Sequence, residues 1–283
     1  MALGLLALLI LVAGTGFGYW RDTRFPARSV WLRGTPVELR VQDGVSRAEL
    51  GRIRMGVRLT DRFMARNLGA RVRRHVEARI ARSNGCRPSQ KAGEAMIGEA
   101  QAGFMCMDTS SPAWQWMMLR DRDGATEAVG HELVHVLQGE LGCLPNDAHR
   151  HYRWIIEGMA EEVSWQSLVA SHRATEARVM RQIRGDGALD PNLEPLRAYE
   201  HDGGRDPEYA LWHLAVRRLL VEAASRGLAP ANRPELALRH FCVRVGAGAW
   251  WRTAFARSFG LPVDDFYAQF ERTRRASTAR FGG

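Results

Sequence analysis

The chain has almost no lysine: among its 40 basic residues, only Lys91 is not arginine. The net charge is +9 over 283 residues, and a charge of that sign draws nucleic acid or anionic lipid when it gathers on one face. Here the arginines are scattered. The densest runs, 71–74 and 272–280, are short, and no nucleic-acid-binding motif accompanies them. A nucleic-acid partner is therefore not expected. Cysteine is scarce as well, with Cys86, Cys106, Cys143 and Cys242 only. None forms a C-x-x-C pair, which argues against a thiolate zinc site. An even count still permits disulfides, in three possible pairings. Internal repeats and low-complexity tracts are absent.

Charge is missing from residues 1–20, where Leu3, Leu5, Leu6, Leu8, Leu9, Ile10, Leu11 and Val12 make a dense apolar run. That run has the length of a signal-peptide core, and its extension to Trp20 approaches a bilayer span. No basic residue precedes it, Arg21, Arg24 and Arg28 follow it, and no clean Ala-x-Ala site ends it. Residues 1–20 are read as a signal peptide or membrane anchor outside the fold, with orientation and cleavage open. The expected placement is extracytoplasmic, secreted or membrane-anchored, with a tether through residues 2–20.

What is present is a globular composition. The chain is 46% hydrophobic and 25% charged, enough to bury a sizeable core as one domain or two small ones. Val37, Leu39 and Val41 alternate with polar residues, which predicts a strand over 36–41. Ser46 with Glu49 forms a capping box before a helix that ends near Gly69. Residues 71–80 fit a strand or a helix, and 95–107 one or two short strands. From Thr126 the pattern turns helical: 126–141 ending at Gly142, then 152–170. Gly185 to Arg205 reads as loop. Asp206 and Pro207 open the next helix, and Pro234, Trp250 and Pro262 mark three more. The expected fold class is α+β. A small mixed α/β sheet unit (21–120) precedes a mainly helical part (121–272) and a basic tail (273–283).

The chemistry concentrates in His131-Glu132-Leu133-Val134-His135. Histidines four apart share one helix face, so both rings can reach one ion roughly 2.0–2.1 Å away. Glu132, beside the first ligand, can reach a water on the metal without binding the metal. Zinc lowers the pKa of that water, and the carboxylate takes its proton as the oxygen attacks a carbonyl. A catalytic zinc usually has a third protein ligand. Gln138 and Leu141 stand where the metzincin pattern needs Gly and His, so that class is excluded. Glu157 lies in the apolar stretch Trp154 to Met159, where an unpaired carboxylate is costly to bury. Its separation of 22 residues from His135 suits helix, loop, antiparallel helix. Gly158 and Ala160 are small enough for close helix approach.

H-E-x-x-H followed by Glu157-Gly158-Met159-Ala160-Glu161 resembles the gluzincin zinc metallopeptidases, in particular the peptidase MA-like domains related to thermolysin. The likeness covers roughly residues 95 to 272. It implies a zincin-like helical part, one Zn²⁺ on His131, His135 and Glu157, and Glu132 as general base. Glu161 would orient the first histidine ligand, with Glu162 as a rival. The resemblance also implies a strand that binds extended substrate by β-addition, expected at 103–107. It implies an oxyanion donor from the later helices, expected to be Tyr209, then His213, then His201. His149 and His151 are expected at the surface.

The resulting expectation is a zinc-dependent peptidase acting on a peptide or protein substrate. The alternative is a non-catalytic peptidase-like scaffold that binds peptide or protein at the envelope. Glu132 separates the two, because a degenerate scaffold commonly loses the base or a ligand. A third class, a basic membrane- or nucleic-acid-associated protein, needs clustered arginines that the sequence lacks. The aminopeptidase signature Gly-x-Met-Glu-Asn is absent; endo- and exopeptidase action stay open.

Overall fold

The computed structural model describes residues 27–82, 86, 98–144, 151–201 and 206–281. Five strands come first: β1 (Ala27–Trp31), β2 (Val37–Gln42), β3 (Val76–Ala81), β4 (Gly98–Gln101) and β5 (Phe104–Asp108). They form one sheet in the order β1-β2-β3-β5-β4. The three central strands run parallel and the two edge strands antiparallel to them. Buried and half-buried positions alternate along β2, so Val37, Leu39 and Val41 reach the core as their two-residue period predicts. Residues 76–81 settle as strand. Parallel neighbours on both sides demand buried apolar positions, and Val76, Ala78 and Ile80 supply them.

The connection from β2 to β3 is helix α1 (Arg47–Phe63), which continues into a π-helical turn at Met64–Leu68. Both bonds of the capping box form: Glu49 N–H donates to Ser46 Oγ at 3.2 Å, and Ser46 N–H to Glu49 Oε2 at 2.7 Å. The left-handed Gly69 (φ 60°) stops it. After β5 the chain is helical: α2 (Pro112–Arg120), α3 (Arg122–Leu141), α4 (Arg153–Ala170), α5 (Glu176–Gly185), α6 (Asp206–Ser225), α7 (Leu236–Gly246), α8 (Trp251–Phe259) and α9 (Val263–Phe281). The class is therefore α+β, a small N-terminal sheet with a mostly helical C-terminal part.

Sheet and helices share one core, from Leu39 and Ile80 through Val134 and Ile155 to Phe255 and Phe266. The last helices brace α4 from behind. Trp154 lies 5.8 Å from Phe266, nearly parallel to it, and its indole N–H donates to Tyr267 Oη at 3.0 Å. Two disulfides add cross-links, Cys86–Cys106 and Cys143–Cys242. Their Cα separations of 5.5 and 4.7 Å suit such bonds.

Two expectations change. Among the described residues no helix is long and apolar enough to cross a membrane. The longest, α3 and α6, carry charges such as Glu127, Glu132, Arg217 and Arg218 along their length. The apolar segment 2–20 lies outside the described residues, so the structure shows no N-terminal anchor and the extracytoplasmic, anchored placement built on it is withdrawn. The other change concerns Gly158. A Cβ there would fall 2.5 Å from the carbonyl oxygen of Trp212 on α6, so this glycine admits α6. Against α3, the close approach is made by Gly130, whose added Cβ would meet Thr60 Oγ1 at 2.4 Å and Ser164 Cβ at 3.1 Å.

Candidate metal centre

Helices α3 and α4 lie side by side and antiparallel, since His135 faces Glu157, His131 faces Glu161 and Glu127 faces Ser164. The Asp121 side chain caps α3, accepting from Gly124 N–H at 3.0 Å, and Gly142 in the left-handed region closes it. These caps fix one register for both histidines. His131 Nε2 and His135 Nε2 are 3.0 Å apart, and Glu157 Oε2 lies 3.3 and 3.2 Å from them. Bonds of 2.0–2.1 Å at tetrahedral angles put neighbouring ligand atoms roughly 3.3 Å apart. The three donors therefore form a near-equilateral triangle of the size that one such ion needs.

Each ring has its other nitrogen engaged. His131 Nδ1 lies 3.1 Å from Glu161 Oε1, and His135 Nδ1 lies 2.6 Å from Gln138 Oε1. An Nδ1–H donated backward from each ring would leave both Nε2 lone pairs pointing forward beside a carboxylate. Such a set is stable only around positive charge. Burial alone lowers the pKa of His131, yet its bonds to Glu157 and Glu161 carry it well above the usual histidine value. Burial likewise pushes Glu157 up, but the two histidines hold it far below the ordinary carboxylate range. The residues present fit a divalent cation.

Glu132 is half-buried next to the triangle, and its charge raises the pKa of both rings. Tyr209, near the start of α6, sets its ring 6.1 Å from that of His131 and 5.0 Å from Trp212. Burial, with Glu157 nearby, pushes its hydroxyl up to about 12, so it stays a hydrogen-bond donor at neutral pH. Glu161, and not its rival Glu162, backs the first histidine.

Two expected residues stand elsewhere. His213 does not join the centre: it is buried with its Nε2 2.7 Å from Glu162 Oε2, and Arg217 Nη1 donates to the same oxygen at 3.1 Å. A ring enclosed and engaged in that way cannot meet a substrate. His201 is exposed and faces His151, Nε2 to Nδ1 3.4 Å. His149 lies outside the described residues. The expected substrate strand moves too. β5 is hydrogen-bonded on both sides, by β3 and β4, and has no edge to offer. Among the described residues the outer strand at that end of the sheet is β4, and the Ala102 backbone that follows β4 abuts Gly139 of α3 so closely that a Cβ there would sit 2.6 Å from Ala102 N.

Sequence reading missed several members. Gln138 is fully buried, and its amide donates to the Ile156 carbonyl oxygen at 2.8 Å while its Oε1 lies 2.6 Å from His135 Nδ1. Its position three residues past His135, on the same helix face, was an available signal. Glu127, one turn before His131, receives a bond from Ser164 Oγ; burial, then Glu161, raise its pKa well above the carboxylate range. Arg153 brings Nε to 3.8 Å from Glu157 Oε1. No family model matches the chain, and no curated protein matches it.

Proposed function

We propose that the chain is a zinc-dependent peptidase with a zincin-like site of the gluzincin type, hydrolysing peptide bonds in a peptide or protein substrate. The observation that carries this reading is the triangle of His131 Nε2, His135 Nε2 and Glu157 Oε2, with edges of 3.0–3.3 Å, with the half-buried Glu132 in the same helix turn. A zinc ion held there supplies a Lewis acid that brings the pKa of a water down to about 7 and polarises a carbonyl.

The chain's own residues do the rest. Glu161 and Gln138 hold the two rings so that neither can rotate its Nε2 away. The Glu132 carboxylate accepts the proton of the attacking water and returns it to the leaving amine. Tyr209 Oη, un-ionised at working pH, donates to the oxygen that gains charge in the transition state. The outer edge of β4, next to α3, receives the substrate main chain as an added strand.

Two measurements test the proposal. Purified protein should bind about one zinc per chain, and Glu157→Ala should lose it, because three ligands leave no spare. Glu132→Gln should keep the zinc and lose about 10²–10⁴ in rate on a peptide library. Full zinc retention in Glu157→Ala would remove the third ligand. A zinc-loaded wild type that cleaves no peptide would favour the non-catalytic scaffold.

A further inference from the structure

We infer that Gln138 is the positioning residue of His135, and that through the same amide it ties that ring to the backbone carrying Glu157. A primary amide has a donor end and an acceptor end. Here Nε2 donates to the Ile156 carbonyl oxygen at 2.8 Å, and this leaves only Oε1 to face His135 Nδ1 at 2.6 Å. Rotating the amide by half a turn would set two oxygens against each other at Ile156. Gln138 is fully buried, so water cannot relieve that clash, and an unmatched buried group costs about 1–3 kcal/mol. The orientation of the amide is therefore dictated by α4. It dictates in turn that His135 Nδ1 carries the hydrogen and Nε2 the lone pair.

Ile156 directly precedes Glu157. One side chain thus fixes the tautomer of a donor on α3 and, by the preceding residue's carbonyl, the height of a donor on α4. The two rings are also held unequally. His131 has a carboxylate behind it and His135 a neutral amide. Glu161 therefore makes His131 the more electron-rich donor, while Gln138 orders His135 without adding negative charge.

The inference uses the zinc reading only for its effect on affinity, and the test separates the two. Full-length protein labelled with ¹⁵N in its histidine rings is compared as wild type, Gln138→Leu and Gln138→Glu, with zinc affinity read by chelator competition. In wild type, His135 should be protonated at Nδ1, with that proton slow to exchange. Gln138→Leu should free the ring, speed the exchange and weaken zinc binding about 10–100-fold. Gln138→Glu keeps an acceptor opposite Nδ1 but sets an oxygen against the Ile156 carbonyl, so it should keep the slow Nδ1 proton while losing the tie to α4 and part of the zinc affinity. A purely structural Gln138 would lower the thermal midpoint in both variants and leave tautomer and affinity alone, which would overturn the proposal. If Gln138→Leu fails to fold, wild type alone decides, because an Nε2–H tautomer at His135 is incompatible with it. If wild type binds no zinc, the peptidase reading fails. The ring spectrum of the metal-free protein, taken at alkaline pH where both rings are neutral, still supports the inference with Nδ1–H or overturns it with Nε2–H.

Discussion

Buried polar side chains in this protein differ in how well they are answered, and the difference predicts how they respond to change. Half-buried Tyr209 meets no ion-pair partner among the described residues, so Tyr209→Phe should fold and bind zinc as wild type does. If its hydroxyl stabilises developing charge, turnover should fall while KM changes little, which steady-state kinetics reads directly. Glu235, just before α7, is the opposite case. Among the described residues its buried Oε2 has no hydrogen-bond partner. Burial, opposed by a backbone bond, raises its pKa, with Glu162 adding to the rise. A carboxyl whose pKa is higher folded than unfolded takes up a proton on folding. Its favourable contribution is complete below the unfolded value and fades as pH climbs through the folded one. Glu235→Gln has no such dependence, so its thermal midpoint should gain on wild type as pH rises above the ordinary carboxyl range. A difference that stays constant with pH would show that the carboxyl titrates alike in both states.

The elements with a local chemical signature were legible before any coordinates. Ser46 with Glu49, Asp206 with Pro207, and the glycines closing α1, α3 and α8 carry their own start and stop signals. Helix α2 also carried one, Ser111 capping at Trp114 N–H with Pro112 next, and α5 another in Thr175, yet neither has the long apolar stripe that drew attention to α3 and α4. Strand β1 was not legible, because an edge strand of five residues with mostly exposed positions has little burial pattern to show. The metal triangle was legible since spacing of four and a buried carboxylate are local facts. The partners of His213 and the role of Gln138 were not, because they depend on which faces of α4 and α6 meet. Gly158 decides that meeting. Its absent Cβ lets the Trp212 carbonyl come within 2.5 Å of where one would stand, and backbone cannot step aside as a side chain can. Gly158→Ala should therefore cost about 1–3 kcal/mol by denaturant unfolding, despite the better helix propensity of alanine. An unchanged or raised midpoint would mean that α6 is free to shift outward.

At the scale of the whole molecule, the sheet, the metal helices and the C-terminal helices form one core, and the two disulfides constrain it unequally. Cys86–Cys106 spans a sequence separation of 20, while Cys143–Cys242 spans 99. A cross-link stabilises chiefly by restricting the unfolded chain, more for the longer loop, so the second bond should contribute about 4–5 kcal/mol and the first about 3. The long one also has a native role. It follows the left-handed Gly142 that ends α3, eight residues beyond His135, and fastens that end to α7. Cys242 Sγ rests 3.9 Å from Met159 Sδ, two residues past Glu157. The bond thus touches both helices that supply the metal donors. Replacing Cys143 and Cys242 together by alanine should lower unfolding free energy by more than replacing Cys86 and Cys106 together, by roughly 1 kcal/mol on loop length alone. It should also weaken zinc binding, whereas the other pair should leave affinity unchanged. Both are read on one set of proteins, by denaturant titration and chelator competition. Equal losses in stability would say that the unfolded chain already holds α3 near α7. Wild-type affinity in the Cys143 and Cys242 double variant would say that the donor triangle is held by α3, α4 and Gln138 without help from the clamp.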